Sequence, residues 1–317
     1  MGVLSSRRPA LPPLLVLLFG ILTISTGSLM VRYAQGYAPS PVIAAYRLAL
    51  ATLFLAPIAL TRHWQELKSL TRSELALAGL SGFFLAIHFA TWITSLEYTS
   101  VASSVVLVTT TPLWVALLTP FTIKEPLSRP VLMGMALALV GVMGVGLSDT
   151  CRISQMRIFC PGMETFFEGK AILGDLLATS GAIVAAAYVL IGRRLRIGLS
   201  LVGYTFLVYG AAAIFLVTFM LISSNTPVGY PSQAYTWFLL LALVPQLMGH
   251  SSFNWALGYV SAALVSVALL CEPVGATLLA YLLLGETPTI LKLFGAILIL
   301  IGVYIAARGE RYSLSVQ

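Results

Sequence analysis

The chain has 317 residues, of which 59% are apolar and only 9% charged, with a mean hydropathy of +0.96. Soluble domains carry roughly 25% charged residues, so this chain cannot cover its own surface in water, which excludes a soluble globular protein and a disordered chain. The net charge of +7 then belongs to the loops of a polytopic membrane protein, not to a nucleic-acid partner.

A membrane span needs about 20 apolar residues, and on that scale the chain holds roughly ten spans and little else. In chain order they fall at 13–33, 42–61, 75–95, 100–121, 130–148, 171–191, 201–223, 235–257, 261–284 and 290–308. Arg7 and Arg8 ahead of the first apolar stretch have the look of a secretory signal. The stretch is too long for a signal core and no small-residue cleavage site follows, so it reads as the first span. Arg47 lies inside the second span. Its long side chain can snorkel to the headgroups, the favoured reading, or face the interior and attract a carboxylate. Only Glu97, Tyr98 and Thr99 separate the third and fourth spans, a tight hairpin that requires antiparallel neighbours. His88 and Trp92 share one face of the third span, four residues apart, and His250 and Asn254 repeat that spacing in the eighth. Thr109, Thr110 and Thr111 precede Pro112 in the fourth span, and their hydroxyls can satisfy a carbonyl freed by the proline or face a cavity. Pro245, near Gln246, is expected to break the eighth span. Pro273 is expected to kink the ninth and free the carbonyl of Leu269 beside Glu272. The glycine pairs Gly134/Gly141 and Gly295/Gly302 read as close-packing faces of the fifth and tenth spans. The polar loop 149–170 carries Cys151 and Cys160, which read either as free thiols or as a disulfide in an oxidising compartment. Cys271 reads as packing.

Positive charge sets the orientation. With the N-terminus inside, Arg7, Arg8, Arg62, Lys68, Arg72, Lys124, Arg129, Arg193, Arg194, Arg196, Arg308 and Arg311 fall on inner segments. Only Arg32, Arg152, Arg157, Lys170 and Lys292 fall on outer segments and span ends. The expectation is a multi-pass cell-membrane protein with both termini in the cytoplasm and 149–170 outside.

The sequence also repeats itself. Pro112 and Pro273, Glu125 and Glu286, Gly134 and Gly295, and Gly141 and Gly302 are each 161 residues apart. Tyr98 with Tyr259, Ala102 with Ala263, Gly20 with Gly181 and Arg32 with Arg193 keep the same offset. His88 and His250 miss it by one residue. Two units of five spans, an odd number, must enter the bilayer from opposite sides. The fold class is therefore an all-α integral membrane protein of ten transmembrane helices, built as two inverted five-helix repeats at 13–148 and 171–308. Such inverted repeats are a hallmark of secondary transporters.

The segments SVVLVTTTPLWVALLTPFTIKEPL and GMALALVGV, with their partners SVALLCEPVGATLLAYLLLGETPT and GAILILIGV, resemble the EamA repeat of the drug/metabolite transporter superfamily. The likeness is strongest at 100–142 and 261–303, and the EP and LLGE pieces at 272–286 are its most specific part. Thr111 stands in the first repeat where Glu272 stands in the second, so that carboxylate is not duplicated. The resemblance implies a ten-span fold around a central cavity, with a substrate that it does not fix.

An ionised side chain at the centre of a span costs roughly 2.5–3.5 kcal/mol on insertion scales, so such groups are the first candidates for function. Glu272 and Arg47 are candidate proton or charge sites. The expected cavity lining is His88, Trp92, Tyr98, Thr110, Thr111, His250, Asn254 and Glu272, with helix breaks at Pro112, Pro245 and Pro273. Glu125 and Glu286 read as hairpin anchors at the interface. The histidines are far apart and the loop cysteines lack partners, so no metal site is expected, and no cofactor. No Walker A motif is present. The resulting expectation is a secondary transporter, not an enzyme, that exports a small organic metabolite such as an amino acid by alternating access, with a proton gradient or simple facilitated movement as the driving force. Its partners are the solute and the lipid bilayer, with no nucleic acid and no obligate protein partner. Two rivals stay open. Gly79-Leu80-Ser81-Gly82 with His250 gives an intramembrane serine protease of rhomboid type, and a non-transporting membrane scaffold is the other.

Overall fold

The structure is a computed structural model that describes residues 9–123, 125, 127–147, 152–154, 157–159, 169–284 and 287–315. Each predicted span is helical, because a helix satisfies every backbone N–H and C=O within its own segment where no water is available. The first span is α1 (Pro13–Ile24) followed by α2 (Gly27–Gln35). The second is α3 (Ser40–Arg62), and a short α4 (Trp64–Lys68) leads to the third, α5 (Arg72–Tyr98). The fourth is divided into α6 (Val101–Val108) and α7 (Thr111–Leu118), with a tighter turn at Thr119–Phe121. The fifth is α8 (Arg129–Leu147). A two-stranded antiparallel hairpin follows, β1 (Arg152–Ser154) and β2 (Arg157–Phe159), with Ile153 opposite Ile158. It lies in the polar loop 149–170, and Cys151 and Cys160 fall outside the described residues.

The second half holds α9 (Gly169–Arg196) and α10 (Leu201–Ile222). Its eighth span runs through α11 (Ser232–Leu241), a π-helical segment (Ala242–His250) and α12 (Ser251–Ala256). The ninth is α13 (Ala262–Leu269) and α14 (Glu272–Leu284), and the tenth is α15 (Ile290–Ser315). Among the described residues nine helical stretches are long and apolar enough to cross a membrane by length and composition. The eighth span, continuous in helix but changing pitch midway, makes the tenth. Leu53, Leu117, Ile214, Leu221 and Leu282 point outward along the bundle, as lipid-facing side chains do.

The offset of 161 residues is written into the local structure. Ser100 caps α6 by accepting from the Ser103 N–H at 3.0 Å, and Ser261 caps α13 by accepting from the Leu264 N–H at 3.1 Å. The fourth and ninth spans break at 109–110 and 270–271, which are the same two repeat positions. Each break falls just ahead of a proline, Pro112 or Pro273. Proline is tolerated in the first turn of a new helix because its missing N–H would be unsatisfied there anyway. Thr109, Thr110 and Thr111 donate to the carbonyls of Val105, Leu107 and Val108, closing the end of α6. In the second half no threonine is available, and Ser25 from the gap between α1 and α2 donates to the Glu272 carbonyl at 3.0 Å. Thus the break in the first span, unforeseen from the sequence, packs on the break in the ninth.

Pro245 departs from expectation. It does not break the eighth span but lies inside the π-helical segment. A π turn holds one extra residue, and the repeat offset rises by one across the segment. The caps of α5 and α11, Thr71 and Pro231, are 160 apart, whereas beyond the segment the pairs are 161 apart. Thr91 donates to the Ile87 carbonyl at 2.8 Å and Ser252, its counterpart, to the Met248 carbonyl at 2.6 Å. A β-carbon on Gly181 would lie 3.1 Å from the Thr91 hydroxyl, and one on Gly20 would lie 3.0 Å from the Ser252 β-carbon.

The pairing of spans obeys the same symmetry. The second packs on the seventh and the fifth on the tenth. The third packs on the sixth, and its mirror image is the first on the eighth. Gly134 meets Gly302 while Gly141 meets Gly295. Rising numbers in α8 face falling numbers in α15, so these two repeat-related helices run antiparallel. One half is inverted relative to the other.

Candidate functional site

A small cavity of about 60 Å³ lies at the centre, bordered by both halves. From the first half come Ile24 and Gly27 at the first break, Arg47 of α3, His88 and Trp92 of α5, and Val108, Thr109 and Thr111 at the fourth-span break. From the second half come Tyr188 and Val189 of α9, His250, Phe253 and Asn254 of the eighth span, and Val265, Leu269 and Glu272 around the ninth-span break. Broken helices free polar groups where the chain borders a cavity, so the two matched breaks form a large part of its wall.

Six of the eight expected lining residues meet here: His88, Trp92, Thr111, His250, Asn254 and Glu272. Thr110 does not. It faces the Leu107 carbonyl at 2.6 Å and the Trp114 indole N–H at 3.4 Å, because neighbouring helical positions point about 100° apart and Thr109 takes the inward direction. Tyr98 is 37% exposed at the last turn of α5. It is six residues past Trp92, about 9 Å along the axis, and lies beyond the cavity.

Arg47 is 1% exposed and does not snorkel. Its guanidinium lies over the Phe89 ring, 4.2 Å from the centroid, and its Nε donates to Gln246 Oε1 at 2.9 Å. The aromatic face and the amide hold the charge inward, and the π-helical segment supplies that amide. Glu272 is 6% exposed and also borders the cavity. Among the described residues its carboxylate has no hydrogen-bond or ion-pair partner, Arg47 included. His88 Nδ1 lies 3.0 Å from the Gly181 carbonyl. A carbonyl only accepts, so Nδ1 carries the hydrogen and the neutral ring keeps Nε2 as an acceptor. His88 thus both ties α5 to α9 and borders the cavity. The His250 ring is 6.4 Å from His88 and 5.2 Å from Phe89, centroid to centroid.

Asn254 is less available than its position promises. It accepts from the Tyr188 hydroxyl at 2.6 Å and donates to the Tyr209 hydroxyl at 3.1 Å. Tyr209 in turn lies 3.2 Å from the Ser251 hydroxyl. Tyr188 borders the cavity, and Tyr209 and Gln246 hold the lining residues Asn254 and Arg47 in place; the sequence reading assigned none of these three to the site. Each is an isolated polar group in an apolar helix, which is the signal that would have marked them. Ser81 lies elsewhere. It is fully buried, 3.4 Å from the Tyr204 hydroxyl, and Gly82 beside it seats the Val208–Ala212 backbone of α10. Ser81 and His250 therefore form no nucleophile–base pair.

At one end of the bundle, acidic side chains lace the loops together. Glu125 accepts from Arg193 Nε at 2.6 Å and from the Ala262 N–H at 3.4 Å, so it ties α9 and the start of α13 to the fourth span. Glu66 of α4 accepts from the Ser200 hydroxyl at 2.6 Å and from its N–H, and lies 2.9 Å from His63. Partial burial tends to raise the Glu66 pKa, but the Ser200 hydroxyl, the Ser200 N–H and His63 outweigh it and hold it below the usual carboxylate range. The two ends share their donor–carbonyl bonds through the repeat. Arg193 donates to the Leu257 carbonyl and Arg32 to the Leu96 carbonyl. Arg196 Nε donates to the Asn254 carbonyl and Gln35 Nε2 to the Ile93 carbonyl, both at 2.9 Å. All four positions keep the 161 offset. Glu286, the counterpart of Glu125, is outside the described residues. Among the described residues no cluster of three His, Cys, Asp or Glu side chains is arranged to hold a metal.

Residues 11–147 and 172–308 each match the model of the EamA-like transporter family. The chain is 26% identical over 306 residues to the uncharacterized transporter YyaM of Bacillus subtilis, covering 93% of this chain and 92% of that protein. It is 24% identical over 233 residues to an uncharacterized transporter of Archaeoglobus fulgidus, covering 73% and 75%. A solved crystal structure superposes with a TM-score of 0.71 at 19% identity, covering 95% of this chain and 98% of the other. At that identity the likeness is one of fold.

Proposed function

The chain belongs to the EamA-like transporter family, and from that premise we propose that it is a secondary transporter exporting a small organic metabolite, an amino acid or a related solute, by alternating access. The observation that carries this reading is the cavity itself. It lies between two antiparallel halves, and its wall includes the two helix breaks that fall at the same repeat position. Two similar units packed in opposite directions can exchange their packings, which turns an opening toward one face into an opening toward the other. Arg47 and Glu272 supply one charge of each sign, which suits a solute carrying both. Glu272, buried and unpartnered among the described residues, is the candidate for proton coupling. The proposed setting is the cell membrane, with both termini in the cytoplasm, and repeats at 13–148 and 171–308. On that orientation the end laced by Glu125 and Glu66 faces inward.

The test is flux into proteoliposomes under a pH step, screening amino acids first. Saturable movement of at least one solute, driven or inhibited across the panel, is the expected result. A purified, folded protein that moves none of them favours the scaffold reading. A labelling experiment placing residues 62–72 and 193–196 on opposite faces would contradict the inverted arrangement, since both segments belong to the same end.

A further inference from the structure

Among the described residues, two buried donors that border the cavity have no hydrogen-bond partner: Arg47 Nη1 and Trp92 Nε1. Their side chains are neighbours, with the guanidinium carbon 5.9 Å from the Trp92 ring. We propose that Arg47 and Trp92 form a carboxylate-binding subsite, so that the transported solute is a zwitterionic monocarboxylate whose carboxylate takes these N–H groups and whose ammonium lies toward Glu272. The proposal rests on the reading of the cavity as the transport site.

The chemistry follows from what the two groups can do. A guanidinium and an indole N–H only donate, so their missing partner must be an acceptor. A planar guanidinium matches a carboxylate in geometry, and the pair is strongest where water is excluded. Among the described residues no such acceptor reaches either group. Glu272, the other charged group bordering the cavity, makes no ion pair with Arg47 among the described residues. Gln246 and Phe89 already fix the guanidinium in place through Nε and the ring face, so it is oriented before a ligand arrives. Charge limits the ligand further. One arginine and one glutamate sum to zero, so a phosphomonoester dianion would leave uncompensated negative charge in a buried space, whereas a zwitterion neutralises both groups. Val108, Val189 and Leu269 leave apolar wall for the remainder of the molecule.

The probes are amino acids set against their decarboxylated amines, for example L-phenylalanine with phenethylamine and L-leucine with isoamylamine. Binding is read as thermal stabilisation of the purified full-length chain, and transport as counterflow in liposomes. At least one amino acid is expected to stabilise the wild type, with its amine failing at about 100 times the concentration. A charge-assisted hydrogen bond is worth roughly a 10- to 100-fold change in affinity. Arg47→Gln is therefore expected to weaken the amino acid by about 100-fold. Trp92→Phe keeps the ring and removes only the N–H, and is expected to weaken it by about 10-fold. Arg47→Gln also removes the hydrogen bond to Gln246, so its affinity is read on folded protein beside Trp92→Phe, which leaves that bond intact. An amine that binds as tightly as its acid overturns the proposal. So does a folded Trp92→Phe protein with unchanged affinity, or a panel in which no carboxylate stabilises the chain. Carboxylate-dependent stabilisation without flux would leave the subsite standing and remove the transport reading. Flux indifferent to the carboxylate would do the reverse.

Discussion

Replacing Gly141 by alanine tests the seam between the two halves. A β-carbon at Gly141 would lie 2.6 Å from the Gly295 carbonyl oxygen and 2.8 Å from both the Ile299 amide nitrogen and its Cγ1. Carbon needs about 3.5 Å from such atoms, so α15 must retreat by several tenths of an ångström. Two of the three atoms are backbone, and neither can turn aside as a side-chain tip can. Overpacking of this kind costs about 1–3 kcal/mol, while alanine regains about 0.8–1 kcal/mol of helix propensity over glycine. The expected net is a loss of about 0–2 kcal/mol, or about 1–3 kcal/mol relative to an alanine that gains propensity without overpacking. Gly79→Ala is the control, since nothing lies within 4 Å of its added methyl; only the propensity gain remains. Gly295→Ala should behave as Gly141→Ala, because its β-carbon meets the Gly141 carbonyl oxygen at the same 2.6 Å. The double variant should cost less than the sum, as one retreat of α15 serves both methyls. Thermal or denaturant unfolding of the purified protein reads all four. If Gly141→Ala proves as stable as Gly79→Ala, then α8 and α15 do not meet at their glycines, and the antiparallel pairing drawn from them fails.

Glu125→Gln removes the charge from the contact with Arg193 while keeping its shape. Both side chains are partly exposed, at 19% and 24%, so the expected loss is about 1 kcal/mol. A double-mutant cycle with Arg193→Gln should return a coupling of that size, and zero coupling would mean that the pair does not lace the spans. Glu272→Gln should abolish pH-driven flux and, because the solute's ammonium is placed toward this carboxylate, weaken solute binding as well; full retention of pH-driven flux would exclude Glu272 as the coupling group. Glu66 has its folded pKa depressed, so its contribution to stability is present above the ordinary carboxylate range and is lost as the pH falls through its lowered folded value. Unfolding measured from about pH 7 down to about pH 4 should therefore show wild type losing more stability than Glu66→Gln, and parallel curves would contradict the Ser200 interaction.

Much of the fold was legible because the bilayer simplifies the problem. A run of apolar residues long enough to cross has one stable conformation, so the ten spans could be placed to within a few residues. The 161 offset survived because it fixes backbone events: serine caps at 100 and 261, breaks at 109–110 and 270–271, and glycine contacts between α8 and α15. The division of the first span at Ser25 and Thr26 escaped notice, since hydropathy runs unbroken across it. So did the π turn, since one extra residue in an apolar helix leaves hydropathy unchanged.

The site was less legible, and Arg47, Thr109 and Thr110 explain why. Periodicity gives the direction of a side chain around its own helix but not what stands opposite. Thr109 and Thr110 are adjacent, hydroxylated and next to the same break, yet a turn of about 100° sends one to the cavity and the other to the Trp114 indole. Arg47 reads first as a headgroup anchor until Phe89 from the third span and Gln246 from the eighth are seen to hold it inward. The sequence by itself determined a ten-span membrane protein of two opposed, related halves, because span length, charge bias and repeat register are properties of the chain alone. The tertiary structure decided which polar groups converge on the cavity and which are left without a partner there, because that depends on contacts between helices distant in sequence.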